Sequence, residues 1–211
     1  MKTDELIAAL ATNAGPAPRA VVARRLAPAM AFGVLASAAL ALSLLGPVNA
    51  LVLLGTALMI KLMYAAALGI SAAWLTGQLS RPAAPSIGAA RAVVGVVITM
   101  ASAGWLSLFA TGPGERLNHA LGDSWAVCPW AVFVLSLPAL AATLWAVRGL
   151  APTRPRATGL AAGLLAGAAG AAGYALACVE TSTMFVAIWY TLGIALCGAL
   201  GAALGPRVLR W

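Results

Sequence analysis

The sequence predicts an all-α, polytopic membrane protein of six transmembrane helices with both ends of the chain in the cytoplasm. Three observations carry this expectation. Six apolar stretches, residues 26–45, 51–75, 91–110, 127–147, 159–178 and 184–204, each come near the roughly 20 residues that a helix needs to cross a bilayer core. The connections between them alternate in charge. Lys2, Arg19, Arg24, Arg25, Arg81, Arg91, Arg148, Arg154, Arg156, Arg207 and Arg210 fall on one side and only Arg116 on the other, with Lys61 inside a span; by the positive-inside rule the basic side is cytoplasmic. Finally, 63% of the residues are hydrophobic and 9% charged, with a mean hydropathy of +0.97, which leaves too few polar groups to cover a water-soluble surface.

Taken in order, residues 1–25 form a cytoplasmic tail and residues 26–211 the membrane domain. The tail opens MKTDELIAALATNAGPAP. Thr3 can cap a short helix whose first turn sets Asp4 and Glu5 against the positive end of the dipole, with Leu6, Ile7 and Leu10 on one apolar stripe. Gly15 and Pro16 end it. A helix of about ten residues is marginal in water, so this one is expected to order on a partner or on the membrane surface. No cleavable signal is expected, because acids, basic residues and two prolines precede the first apolar run without a small-residue cleavage site.

The second span carries Lys61. A charge near the bilayer centre costs at least ~2.5 kcal/mol on insertion scales, which makes an intramembrane lysine a functional candidate. The competing expectation is that the apolar core begins nearer Thr56 and Lys61 snorkels toward the outer headgroups. After the third span comes the longest loop, residues 111–126, too short for a soluble catalytic domain. The fourth span opens at Cys128, has Pro129 near its end, and holds Pro138 mid-span, where a missing N–H is expected to kink it. In the fifth, Gly159, Gly163 and Gly167 repeat every four residues, as Gly201 and Gly205 do in the sixth; such faces let membrane helices pack by backbone contact. Trp105, Trp125, Trp130, Trp145, Trp189 and Trp211 read as interfacial anchors.

Cys128 opens the fourth span and Cys178 closes the fifth. Twenty residues separate each from the short cytoplasmic connection between Arg148 and Thr158, so at 1.5 Å per residue both lie about 30 Å above it, at one height on the outer side. A structural disulfide, a redox switch, a soft-metal site and two unrelated small residues all fit that placement. His119, Asp123 and Glu180 share the side, so Cys128, Cys178, His119 and Glu180 are candidate ligands for a soft metal, although their spacing matches no compact metal motif. Cys197 is mid-span and reads as a packing residue. The chain has no CxxC pair, no Gly-rich phosphate loop and no nucleophile beside a base, so an enzyme is not expected. Its net charge of +8 sits at helix ends facing anionic headgroups, so the bilayer rather than nucleic acid is its counterpart.

The start MKTDELIAALA, the IKLMY element at Ile60 to Tyr64, SWAVCP from Ser124 to Pro129, the APTRPR loop, the block CVETSTMFVAIWYTLGIA from Cys178 and the terminus LGPRVLRW together resemble the NrsF family across essentially the whole chain. The resemblance implies a six-span anti-sigma factor of the bacterial inner membrane that negatively regulates an extracytoplasmic-function sigma factor. It implies that the tail, with Thr3, Asp4, Glu5, Leu6, Ile7 and Leu10, helps hold that partner. It implies too that outward cysteines matching Cys128 and Cys178 are needed to respond to oxidative or heavy-metal stress. No cofactor is expected, and a soft metal ion would enter only as inducer. The alternative is a small-solute membrane transporter, motivated by Lys61 and Pro138.

Overall fold

The computed structural model describes residues 3–5, 12, 21–48, 55–81, 84–150 and 152–209. Among them there is no strand. Six helices are long and apolar enough to cross a membrane: α1 (Val21–Leu44), α2 (Thr56–Leu79), α3 (Ile87–Ala110), then, after the short α4 (Arg116–Leu121), α5 (Cys128–Arg148), α6 (Pro155–Ala175) and α7 (Thr183–Val208). The first span thus begins five residues before its expected start, the second begins at Thr56, and the long loop contains a helix that was not expected. Local chemistry accounts for several starts. Proline opens the first turn of α5 and of α6, where its missing N–H costs nothing and its fixed φ favours the helix. Ser182 caps α7, its Oγ accepting from Phe185 N at 3.2 Å.

An even number of spans leaves Val21 and Val208 at one end of the bundle. Arg24, Arg25, Arg81, Arg91, Arg148, Arg154, Arg156 and Arg207 lie at or near that end by helix order, and Arg116 at the other. These are called below the arginine end and the cysteine end.

The centre is α6, with 15 of its 21 residues buried against its neighbours, while α3 has 4 of 24 buried and packs at the edge against α2 and the start of α7. Glycine makes the centre possible. A Cβ on Gly159 would collide with the Gly201 carbonyl; on Gly163 it would lie 2.8 Å from Gly198 Cα, and on Gly167 2.9 Å from Ile194 Cα. The expected seam is therefore a line of backbone contact between α6 and α7, the device by which helices associate where lipid is as apolar as the side chains. Two further glycines of α6 were not singled out from the sequence. A Cβ on Gly170 would lie 2.7 Å from Val132 O of α5, and one on Gly173 2.8 Å from Ser37 Cβ of α1. Pro138 lies inside α5 just before Ala139, where α1 approaches so closely that a Cβ on Gly33 would be 2.6 Å from Ala139 Cβ. Polar bridges add to these contacts: Ser37 Oγ donates to Leu135 O at 2.7 Å, and Tyr64 Oη lies 2.6 Å from Thr191 Oγ1.

Candidate functional site

At the cysteine end, three chain segments converge. Cys128 is the first residue of α5, and Cys178 lies in the connection after α6, three residues beyond its last residue rather than closing it. Both side chains are buried in one cluster with Tyr174, Phe185 and Tyr190. All three cysteines of the chain are free thiols. The rings of Tyr174 and Tyr190 in that cluster are 5.7 Å apart, centroid to centroid.

Lys61 joins this cluster from the second turn of α2. It is 1% exposed, and its Nζ donates to the Cys178 carbonyl at 2.7 Å across 117 residues of sequence. The snorkelling expectation is therefore wrong. The ammonium turns inward because the connection after α6 leaves helical carbonyls behind and offers one to it, and a buried cation without such an acceptor would be far costlier. Among the described residues no carboxylate forms an ion pair with it.

Glu180 ties the two cysteine-bearing segments together. Its Oε1 accepts from Asp123 N at 2.8 Å, Ser124 N at 3.0 Å and Ser124 Oγ at 2.9 Å. Ser124 O in turn accepts from Cys128 N at 2.9 Å. A single carboxylate thus fixes the turn that launches α5, and hydrogen bonds to an ionised acceptor are the stronger kind. The chain can approach so closely because residue 122 is glycine. Its φ is +62°, and a Cβ there would lie 2.6 Å from Phe185 Cδ2 and 2.8 Å from Glu180 Oε2.

The short α4 closes over this arrangement. Its carbonyls receive Ser182 Oγ, at His119 O and 2.6 Å, and the indole N–H of Trp189, at Ala120 O and 3.0 Å. Trp189, expected as an interfacial anchor, is thus a fastener between elements. The His119 ring points elsewhere, its Nε2 lying 3.5 Å from Ser107 Oγ of α3. Of the four candidate metal ligands, the structure buries Cys128 and Cys178 at the same end of the bundle and employs Glu180 as a backbone clamp. Among the described residues no three His, Cys, Asp or Glu side chains gather as a metal site.

In the tail, Thr3, Asp4 and Glu5 are helical and exposed, so Thr3 lies in the helix rather than capping it. Leu6, Ile7 and Leu10 lie outside the described residues. Cys197 is buried mid-span, as expected, beside Ala162 and Ala166 of α6.

Sequence reading missed Tyr174, Ser124 and Tyr190. Tyr174 sits one helical turn before Cys178, a spacing that could have drawn attention to it. The Tyr190 hydroxyl is buried and makes no hydrogen bond. Its position follows from a π-helical turn, Val186–Tyr190, inside α7. Such one-turn bulges insert a residue and re-aim the side chains after it, and they leave no periodic signature in an apolar run.

Residues 10–211 match the family described as "NrsF: Negative regulator of sigma F". The chain is 38% identical over 213 residues to the "Probable anti-sigma-F factor NrsF" of Azospira oryzae. It is 37% identical over 216 residues to the "Anti-sigma-F factor NrsF" of Caulobacter vibrioides. Both alignments cover 100% of each chain. No solved structure matches the chain significantly.

Proposed function

The chain belongs to the NrsF family of negative regulators of sigma F, and on that premise we propose that it holds an extracytoplasmic-function sigma factor at the inner membrane and releases it when Cys128 and Cys178 are oxidised or metallated. In this reading the arginine end and the tail face the cytoplasm, and Thr3, Asp4, Glu5, Leu6, Ile7 and Leu10 contribute the contact with the partner. The cysteine end faces the oxidising side, where such chemistry takes place.

The observation that carries the proposal is the setting of the two thiols: both are free and buried at the same end of the bundle, with Glu180 tying the segment after Cys178 to the turn before Cys128 and Lys61 holding the Cys178 carbonyl. An oxidant that removes two electrons and two protons would join the sulfurs, and a soft metal ion would displace the protons and bridge them. Either product pulls the start of α5 and the connection after α6 into a new separation, which competes with the Lys61 and Glu180 hydrogen bonds. Release follows only if the two thiol states bind the partner with different affinity. The family match favours this reading over the small-solute transporter that Lys61 and Pro138 suggested.

The test is copurification of the sigma factor with the full chain from cells before and after diamide or cadmium. Wild type should lose its partner on treatment. Cys128→Ser and Cys178→Ser should each retain it, because serine keeps the size but forms neither bond, and Cys197→Ser should behave as wild type. If both single variants release the partner like wild type, the thiols are not the sensor. Leu6→Asp with Leu10→Asp should free the partner without stress, and unchanged copurification would remove the tail from the interface.

A further inference from the structure

At the arginine end, a cavity of about 710 Å³ opens between the start of α1 and the end of α5. Arg24, Arg25 and Arg148 line it together with Pro28, Trp145 and Gly149. The Arg25 guanidinium lies against Gly149, where any Cβ would collide with it. Among the described residues no carboxylate pairs with any of the three arginines. The negative end of the α5 dipole offsets about half of one charge, so most of the three positive charges converging here remain uncompensated.

We propose that this cavity binds the headgroup of an anionic phospholipid, its phosphodiester gripped by the three guanidiniums. Depth supports a lipid as occupant. At 24 residues, α1 is about 36 Å long, against about 30 Å for the hydrocarbon core, which places its first turn in the headgroup layer. Chemistry supports it too, because the guanidinium fork matches phosphate oxygens two at a time. Trp145, 78% exposed on the flank of the cavity, presents an indole to the interface where such residues anchor, and Pro28 adds an apolar stretch of lining beside the arginines. Basic pockets between spans are a known physical solution for anionic headgroups. This site is independent of how the thiols act.

The purified full-length protein in neutral detergent tests it by titration with cardiolipin, phosphatidylglycerol, phosphatidylcholine or inorganic phosphate, with binding read by native mass spectrometry and thermal unfolding. The anionic lipids should bind at least tenfold more tightly than phosphatidylcholine. Arg24→Gln with Arg25→Gln and Arg148→Gln should abolish that preference, and the single Arg24→Gln, at an exposed position, should weaken it severalfold should the triple variant fail to fold. Arg154→Gln with Arg156→Gln, which lie at the same end outside the cavity, should leave it intact. Equal binding of phosphatidylcholine, an equal loss in the Arg154 and Arg156 variant, or the same stabilisation by inorganic phosphate would overturn the proposal. So would a triple variant that keeps its lipid preference but no longer copurifies the sigma factor, since the cavity would then serve the protein partner.

Discussion

The two ends of the bundle solve opposite problems. At the cysteine end, inward-facing polar groups are spent on one another: Lys61 on the Cys178 carbonyl, Glu180 on the turn before α5, Ser182 and Trp189 on the carbonyls of α4. At the arginine end, Arg24, Arg25 and Arg148 point outward into a cavity and find no carboxylate among the described residues. A satisfied network in a low-dielectric interior is stiff and cooperative, so a change in one member is felt by the others. Exposed charges are instead screened, adaptable and open to an external counterpart. The same apolar scaffold thus carries one end whose inward charges are engaged within the chain and one left electrostatically incomplete.

The contrast breaks outright if the ends are assigned to the wrong sides of the membrane. A reporter active only in the periplasm should give full signal when fused after His119 and none after Arg154, an all-or-none difference. The reverse pattern would place the thiols in the reducing cytosol. The next largest effect concerns the clamp. Hydrogen bonds to a charged group are worth about 1.5 to 3 kcal/mol each, and about 1.4 kcal/mol is a factor of ten in an equilibrium. Glu180→Ala should therefore raise the rate at which a membrane-impermeant maleimide labels Cys128 by at least about tenfold, and an unchanged rate would show that the clamp does not guard the thiol.

Smaller effects sharpen the comparison. Tyr190 carries the one buried side-chain polar atom without a partner among the described residues, and such a hydroxyl costs about 1 to 3 kcal/mol. Tyr190→Phe should raise the unfolding midpoint by about 2 to 4 °C for each kcal/mol recovered, and a lowered midpoint would mean that the hydroxyl is satisfied after all. The smallest difference lies within α3. Toward the cysteine end, a Cβ on Gly104 would lie 3.0 Å from Ala187 Cβ and 3.2 Å from Met184 Cα, whereas one on Gly95 would meet nothing within 4 Å. Gly104→Ala should cost about 1 kcal/mol or more through forced repacking, and Gly95→Ala should fall within about 1 kcal/mol of wild type. Equal unfolding midpoints would show that the tight packing of the cysteine end does not extend to α3.

Much of this architecture was legible because membranes restrict it so strongly. Span length, arginine alternation and the spacing of Gly159, Gly163 and Gly167 are local signals, and each corresponds to a feature of the structure. The equal height of Cys128 and Cys178 followed from counting residues along two helices joined by a short loop. What escaped were contacts between segments far apart in sequence. Lys61 and the Cys178 carbonyl are 117 residues apart, and no periodicity in either segment reports the other. Glu180 read as a candidate metal ligand rather than a clamp because its role depends on backbone N–H groups, which every residue has. The bond from Trp189 to α4 and the burial of Tyr190 escaped notice because the π-helical turn shifts which face each presents. The tail's apolar stripe, Leu6, Ile7 and Leu10, lies outside the described residues and rests on sequence alone.

The glycine seam between α6 and α7 has a mechanical meaning. Where backbone touches backbone at Gly159, Gly163 and Gly167, no side-chain rotamers are available to absorb a displacement, so the two helices act as one beam. Both cysteine-end tips of that beam meet in the connection that holds Cys178 and Glu180. With 21 residues in α6, the beam is about 32 Å long, so a tilt of about 5° at one tip moves the other by about 3 Å. A lever of that length needs no chain of rearranging contacts to carry a movement of the sulfur pair across the bundle.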